Sequence, residues 1–366
     1  MKKVTIRDVA RLAGCSIATV SRVLNQSGPS SLENKKRVLE AAETLNFEFN
    51  EVGRSLQRQS SKTLAVIIPT ISNPVFADAV EGIQASAAES GYRILLGFAN
   101  YDSEQELKSL ETLMAHQIDG VVLTVSDVEN SLAIERLEQD SVPYCLIFNQ
   151  SRNPDSPAVC IDNALAAQNV GERLIKLGHK DIAFLAVQMT SSDRSRQRYS
   201  GLCEATRLSG IAKPDLVEVN YEPDNLEDSL SRLFIKRPDV SAIFASNDML
   251  ALASVRALRS LGKKIPEEVS IVGFDGIALT SLVHPTIATV FTPNREMGRR
   301  ATALVIDAIK NNRKVTHQSV MLPFEFRSGQ SLTFNQTNVP MHRLSPEHRP
   351  SSSLQMKSSQ TKRADK

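Results

Sequence analysis

The chain contains no tryptophan, and aromatic residues make up only 5% of its 366 positions. The strongest stacking platform for a flat ligand is therefore missing, and that role falls to Phe. Four cysteines, Cys15, Cys145, Cys160 and Cys203, stand far apart. With no CxxC spacing and no His/Cys pairing, they read as buried thiols rather than as a zinc site or a disulfide framework. No apolar run approaches the roughly 20 residues of a membrane span. The opening stretch Met1-Lys-Lys-Val-Thr-Ile-Arg-Asp8 has no apolar core of the signal-peptide kind, so a cytoplasmic location is expected. Nor does the chain carry GxxxxGK, GxGxxG, GxSxG or HExxH, and its six His residues show no nucleophile spacing. An enzyme has no support in these motifs, and no cofactor or metal is expected.

What is present is a soluble-protein composition, 41% hydrophobic over a length that suits two or three domains. The net charge of +2 hides an asymmetry. Residues 1–62 hold 11 Lys/Arg against 6 Asp/Glu, residues 63–334 hold 26 against 33, and the stretch from 335 holds 6 against 2. A basic head on an acidic body places phosphate-binding charge at one end.

That head has a readable architecture. Thr5 is placed to cap a first helix, with Asp8 completing a carboxylate version of the capping box. Ile6, Val9, Ala10 and Ala13 share one helical face. Gly14 ends the helix where a positive φ is needed. Ser16 then caps a second helix with Val20, Val23 and Leu24 inward. Two short helices joined by a Gly-containing turn form a helix-turn-helix, the geometry that presents a helix to the DNA major groove. A third helix runs from its cap Ser31 to Thr44, with Val38, Leu39, Ala42 and Leu45 inward. A three-helix headpiece is thus expected over 1–46, followed by a polar hinge and linker over 47–62.

The texture then changes. Short apolar runs such as Leu64-Ala-Val-Ile-Ile68, Gly120-Val-Val-Leu123 and Ala242-Ile-Phe244 alternate with amphipathic stretches at 74–90, 104–115, 163–177, 196–209, 225–236 and 248–261. Such alternation predicts parallel sheets with helices on both faces. Residues 63–331 are long enough for two such sheets with a cleft between them. From 332 to 366 the chain is rich in Ser, Pro and Gln and is expected to be a disordered tail. Residues 335–366 contain only Leu344 and Leu354 and several Pro, so no coiled coil is expected there.

Several spaced motifs together resemble the LacI/GalR family of transcription regulators. They are the helix-turn-helix, Asn50-Glu-Val-Gly-Arg-Ser-Leu56, Asn73-Pro-Val-Phe76, Ile161-Asp-Asn163, Arg198-Tyr-Ser-Gly201, Ser246-Asn-Asp248 and Val272-Gly-Phe-Asp275. The resemblance implies the headpiece, a hinge helix and a periplasmic-binding-protein-like core of two parallel-sheet subdomains. The chain would cross between them three times, with residues near 294–315 returning to the first. It also implies a homodimer on a palindromic operator, acting as a repressor of carbohydrate-related genes. A small sugar or sugar derivative would control it. A sugar acid, phosphate ester or nucleobase as the ligand, or an activating role, stays open.

On the headpiece, residues early in the second helix reach base edges. Arg22 can pair with guanine through two hydrogen bonds, while Ile17 and Ala18 offer apolar contact. Thr5, Ser16, Thr19, Ser21 and Asn25 suit phosphates. In the hinge, Asn50 and Arg54 accompany Leu56, which matches the family's minor-groove wedge. Gly53 stands where the family often has Ala, and predicts a hinge that folds less readily. For the ligand, the resemblance points to Asp162, Arg194, Arg198, Asn247 and Asp275 as polar contacts. Phe76, Phe148 and Phe244 are the candidate aromatic walls.

Overall fold

The computed structural model describes residues 4–25, 29–47, 60–151, 153, 156–219, 226–315 and 319–335. Helices α1 (Ile6–Ala13), α2 (Ile17–Asn25) and α3 (Leu32–Thr44) form the headpiece. The Thr5 amide and hydroxyl both donate to Asp8 Oδ2, at 2.9 and 2.6 Å, closing the capping box. Gly14 ends α1 at φ +61°. Ser16 Oγ accepts the Thr19 amide at 3.1 Å, and Ser31 Oγ accepts that of Asn34 at 3.3 Å. Val9, Ala10, Ala13, Val20, Val23, Val38 and Ala41 pack into one small core. The inward face of α3 differs from expectation at one place. Leu39 is 49% exposed and Ala41 is buried instead, because positions 38, 41, 42 and 45 make the helical stripe and 39 lies beside it.

The chain divides into two compact units. The first holds Met1–Asp162, Thr190–Arg194 and Pro293–Pro323; the second holds Asn163–Met189, Ser195–Thr292 and Phe324–Lys366. In the first unit, strands β1 (Thr63–Ile68), β2 (Arg93–Phe98), β3 (Gly120–Leu123), β4 (Tyr144–Ile147), β5 (Ala158–Cys160) and β11 (Val320–Met321) form one sheet. Its order is β11-β5-β4-β3-β1-β2, and every pairing is parallel. Helices α4 (Pro74–Glu89), α5 (Ser103–Met114), α6 (Leu132–Gln139) and α11 (Asn294–Lys310) accompany it. All six residues of β1 are buried, which is why it reads as an unbroken apolar run.

In the second unit, β6 (Ile182–Val187), β7 (Asp215–Val219), β8 (Ala242–Ala245), β9 (Ser270–Asp275), β10 (Ala288–Phe291) and β12 (Glu325–Arg327) follow the order β12-β10-β9-β8-β6-β7. Only β12 runs antiparallel, at the edge. Helices α7 (Asn163–Lys176), α8 (Asp193–Leu208, its first two residues in the first unit), α9 (Leu226–Lys236) and α10 (Asp248–Ser260) complete the set. Leu185, Leu230, Ile243, Leu258 and Ile271 are fully buried or nearly so in its core, each worth about 2 kcal/mol of burial.

A disordered tail is expected from Leu332, yet Thr333 and Asn335 are hydrogen-bonded to the second unit. Thr333 N–H donates to Ser270 Oγ at 3.1 Å, and Asn335 N–H to the Leu177 carbonyl at 2.9 Å. Buried His179 donates through Nε2 to the Thr333 carbonyl at 3.0 Å. Positions 336–366 lie outside the described residues.

Candidate functional site

In each sheet the strand order reverses at one point, between β1 and β3 in the first unit and between β6 and β8 in the second. The ends of strands beside such a switch are where open α/β sheets take ligands. The second unit gathers its polar residues there. Arg198, on α8, is buried. Its Nε donates to Asn163 Oδ1 at 2.9 Å and its Nη1 to the Ser246 carbonyl at 2.6 Å. The same Nη1 lies 3.6 Å from Asp275 Oδ1, and the guanidinium sits 3.6 Å from the centre of the Phe274 ring. A cation over an aromatic face and beside a carboxylate is held in one orientation. Asp275 ends β9 at φ +110° and is buried.

Behind this pair stands Asp248, fully buried at the start of α10. Thr289 Oγ1 donates to its Oδ1 at 2.6 Å and the Ile277 amide to its Oδ2 at 2.9 Å. Burial first, and then the Asp275 carboxylate, push its pKa well above the ordinary range. Two further polar atoms in the cluster are buried with no hydrogen-bond partner among the described residues, Asn163 Nδ2 and Ser246 Oγ.

The first unit has its own strand-end network. Asn149 follows β4; its Oδ1 accepts the Val125 amide at 3.0 Å, and its Nδ2 donates to the Val125 carbonyl at 2.9 Å and to both oxygens of Asp193. Arg194 Nη1 donates to the Val125 carbonyl at 2.8 Å and to Asp193 Oδ1 at 3.3 Å. Glu106 Oε1 accepts the Ser126 amide at 2.7 Å, and burial raises this carboxyl's pKa. Phe76 and Phe148 meet edge to face, with centroids 5.5 Å apart and planes at 88°. Asp162, half-buried, closes this unit's first segment.

Several sequence candidates take other roles. Arg194 and Arg198 belong to different units and are each matched by a carboxylate of their own unit, Asp193 and Asp275. Phe244 is corrected from ligand wall to core. It is 0% exposed, edge-on to Phe184 at 5.3 Å and tilted against Phe274 at 6.3 Å, because a central strand between two neighbours buries its side chains on both faces. Asn247 Oδ1 accepts the Leu250 amide at 2.9 Å as the cap of α10. Asn163, Ser246, Asp248 and Phe274 went unnamed as site residues, although all four lie inside the motifs quoted above. Asn149 lies outside them.

On the headpiece, Ile17, Ala18 and Arg22 are exposed along α2 while Val20 and Val23 face inward. Thr19 and Ser21 are half-buried, and Ser16 Oγ lies 2.9 Å from Thr19 Oγ1. Thr5 is held by Asp8. The side chain of Asn25 and the hinge residues Asn50, Gly53, Arg54 and Leu56 lie outside the described residues. Among the described residues no group of three or more His, Cys, Asp or Glu is placed to hold a metal ion, and no helix is long and apolar enough to cross a membrane.

Comparison with known proteins agrees with this arrangement. Residues 5–50 match the family model "Bacterial regulatory proteins, lacI family". Residues 61–327 match "Periplasmic binding proteins and sugar binding domain of LacI family". The ribose operon repressor of Halalkalibacterium halodurans is 33% identical over 84% of this chain and 90% of its own length. A LacI-family regulator structure from Silicibacter pomeroyi is 25% identical, with a TM-score of 0.79 over 91% of this chain and 100% of its own. An Enterococcus faecium regulator solved with bound ribose is 26% identical, with a TM-score of 0.66 over 75% of this chain and 100% of its own.

Proposed function

Because this chain belongs to the LacI family of DNA-binding transcriptional regulators, which are not enzymes, we propose that it represses carbohydrate-related genes under the control of a small neutral sugar or sugar derivative. The observation that carries this reading is the pair of unpartnered buried atoms, Asn163 Nδ2 and Ser246 Oγ, beside the Arg198–Asp275 pair. An unmade buried hydrogen bond costs about 1–3 kcal/mol, which a bound polyol would recover. Each sugar hydroxyl both donates and accepts. Asp275 can accept a hydrogen bond from one, while Asn163 and Ser246 donate to its neighbours. The charge balance argues against an acid or a phosphate ester, since Arg194 and Arg198 each already have a carboxylate. The ribose in the names of two relatives favours the same class.

Operator binding and dimerisation are typical of the family. In our reading, two copies of this chain bind a palindrome from the cytoplasm, with Arg22 reading guanine and Ile17 and Ala18 touching thymine methyls. Ser16, Thr19, Ser21, Asn25 and Thr5 set register on phosphates, and Asn50, Arg54 and Leu56 work in the minor groove. The partner copy would cover apolar side chains left exposed in each unit, Leu96 and Phe98 on edge strand β2 in one, and Leu279 and Leu282 in the other. The test is calorimetric titration of the whole protein with D-ribose and related neutral sugars, and in parallel with their 5-phosphates and aldonic acids. A neutral sugar should bind at least about tenfold tighter than its anionic counterpart, and Ser246→Ala should weaken it by about 1 kcal/mol or more. Preference for the anion would overturn the neutral-sugar reading.

A further inference from the structure

Where the chain enters the first unit, three consecutive residues converge on one carboxylate. Asp119 Oδ2 accepts the Ser60 hydroxyl at 2.5 Å and the Lys62 amide at 3.0 Å. Its Oδ1 accepts the Ser61 amide at 2.8 Å and the Ser61 hydroxyl at 3.1 Å. A carboxylate offers about four lone-pair sites, so this one is filled by residues 60–62 alone. Lys62 itself stands at φ +52°, a left-handed conformation that a side chain seldom adopts without a reason. Its Nζ lies 4.4 Å from the centre of the Tyr92 ring and donates to Tyr92 Oη at 3.2 Å. Arg93 Nε donates to Thr63 Oγ1 at 2.9 Å, and Arg93 Nη2 reaches the Ser61 carbonyl at 3.5 Å. The turn is thus gripped by side chains just before or at the starts of β2 and β3, the two strands that flank β1.

We propose that Asp119 is a positioning residue for operator binding, the fixed point from which the DNA-binding arm leaves the first unit. The proposal rests on the reading that residues before 60 hold DNA as a pair of headpieces. In a dimer the second headpiece binds intramolecularly, at an effective concentration set by how firmly its tether is held. A clamped exit keeps that concentration high. It would also pass a shift at the strand starts to the arm, because Ser61 and Lys62 are bonded to Asp119 and Tyr92, the residues just before β3 and β2. A loose exit would leave each headpiece able to bind but poorly placed for its second half-site.

Asp119→Asn keeps the shape while replacing one acceptor oxygen with an amide that donates toward other donors. The duplex is a palindrome selected from random DNA by the wild-type protein, tested beside a duplex carrying one half-site. Asp119→Asn should bind the palindrome about tenfold more weakly and the half-site within about twofold of wild type. Hydrogen exchange at the Ser61 and Lys62 amides should accelerate by a similar factor. An unchanged palindrome affinity, or equal losses on both duplexes, would overturn the proposal. Should Asp119→Asn not fold, the double variant Ser60→Ala, Ser61→Ala removes only the two hydroxyl donors. It should lose palindrome affinity in the same direction and by less, and no selective loss would again sink the idea. A wild-type protein that selects no palindrome would remove the underlying reading, a result distinct from either variant's behaviour.

Discussion

At the scale of single residues, the buried carboxylates of the second unit carry the sharpest chemistry. Asp248 accepts from Thr289 and Ile277, and burial together with Asp275 raises its pKa to about 8. A folded-state value above the unfolded one contributes stability that is complete below about pH 4 and is lost as pH rises through the folded value. Asp248→Asn cannot titrate. The variant's melting temperature should therefore gain on wild type between pH 5 and pH 8. Each pKa unit is worth about 1.4 kcal/mol, or about 3 °C in a body of this size. Differential scanning calorimetry of both proteins across that range checks this, and a difference independent of pH would mean that Asp248 stays ionised. His179 works in the opposite sense. Burial lowers its pKa, so its contribution is intact above about pH 6.5 and fades as pH falls through the folded value. Comparing variant with wild type cancels that term.

At the scale of elements, helices α4 and α11 come close enough for backbone contact. A Cβ at Gly298 would stand 2.2 Å from the Ala79 carbonyl oxygen, and one at Gly82 would stand 2.0 Å from that of Arg295. Two glycines facing each other's helix let the backbones approach, and neither obstructing atom is a side chain that could swing away. Ala favours a helix over Gly by about 1 kcal/mol, but overpacking costs about 1–3 kcal/mol. Here the clash is with main chain, so the cost should win. Gly298→Ala is expected to destabilise the first unit by about 2 kcal/mol, measurable by urea denaturation. A neutral or stabilising change would show that the helices can part. Salt bridges across the same pair, Arg295 with Glu81 and Arg299 with Glu89, are exposed and contribute little beside this packing.

At the scale of the whole molecule, the proposed dimer rests on apolar side chains that each unit leaves uncovered. Leu282 is 76% exposed, and it neighbours a groove lined by Leu252, Val255, Leu279 and Val283. Phe98 is 42% exposed on an edge strand. Leu282→Asp and Phe98→Asp would each place a charge inside the contact, at a cost of several kcal/mol. Light scattering should show the wild type as a dimer and the double variant as a monomer. A double variant that remains dimeric would move the contact elsewhere, and a wild-type tetramer would contradict the reading of the C-terminal stretch.

Much of this protein is local and so could be read from its residues in order. Caps at Thr5, Ser16 and Ser31, the left-handed Gly14 and the inward stripe of each headpiece helix depend on neighbours three or four positions away. The central strands are apolar because both of their faces are covered, so β1, β3 and β8 announce themselves. Edge strands such as β7, β11 and β12 are short or partly polar and give no such signal. The site was legible as motifs but not as partnerships. Three arginines at 194, 196 and 198 look alike in sequence, yet each meets a different partner: Arg194 the adjacent Asp193 and the distant Val125 carbonyl, Arg196 the nearby Met189 carbonyl, and Arg198 the distant Asp275. Phe244 and Phe274 are equally buried and differ in what sits on the ring, since the Arg198 guanidinium lies over Phe274. The tryptophan-free, cysteine-poor composition spoke only to the absence of a Trp stacking platform and against a cysteine-built zinc site or disulfide framework. Whether the Arg198 charge is free to meet a ligand was decided only by the tertiary structure, which brings the distant Asp275 beside it, because compensation of buried charge is a matter of distance in space.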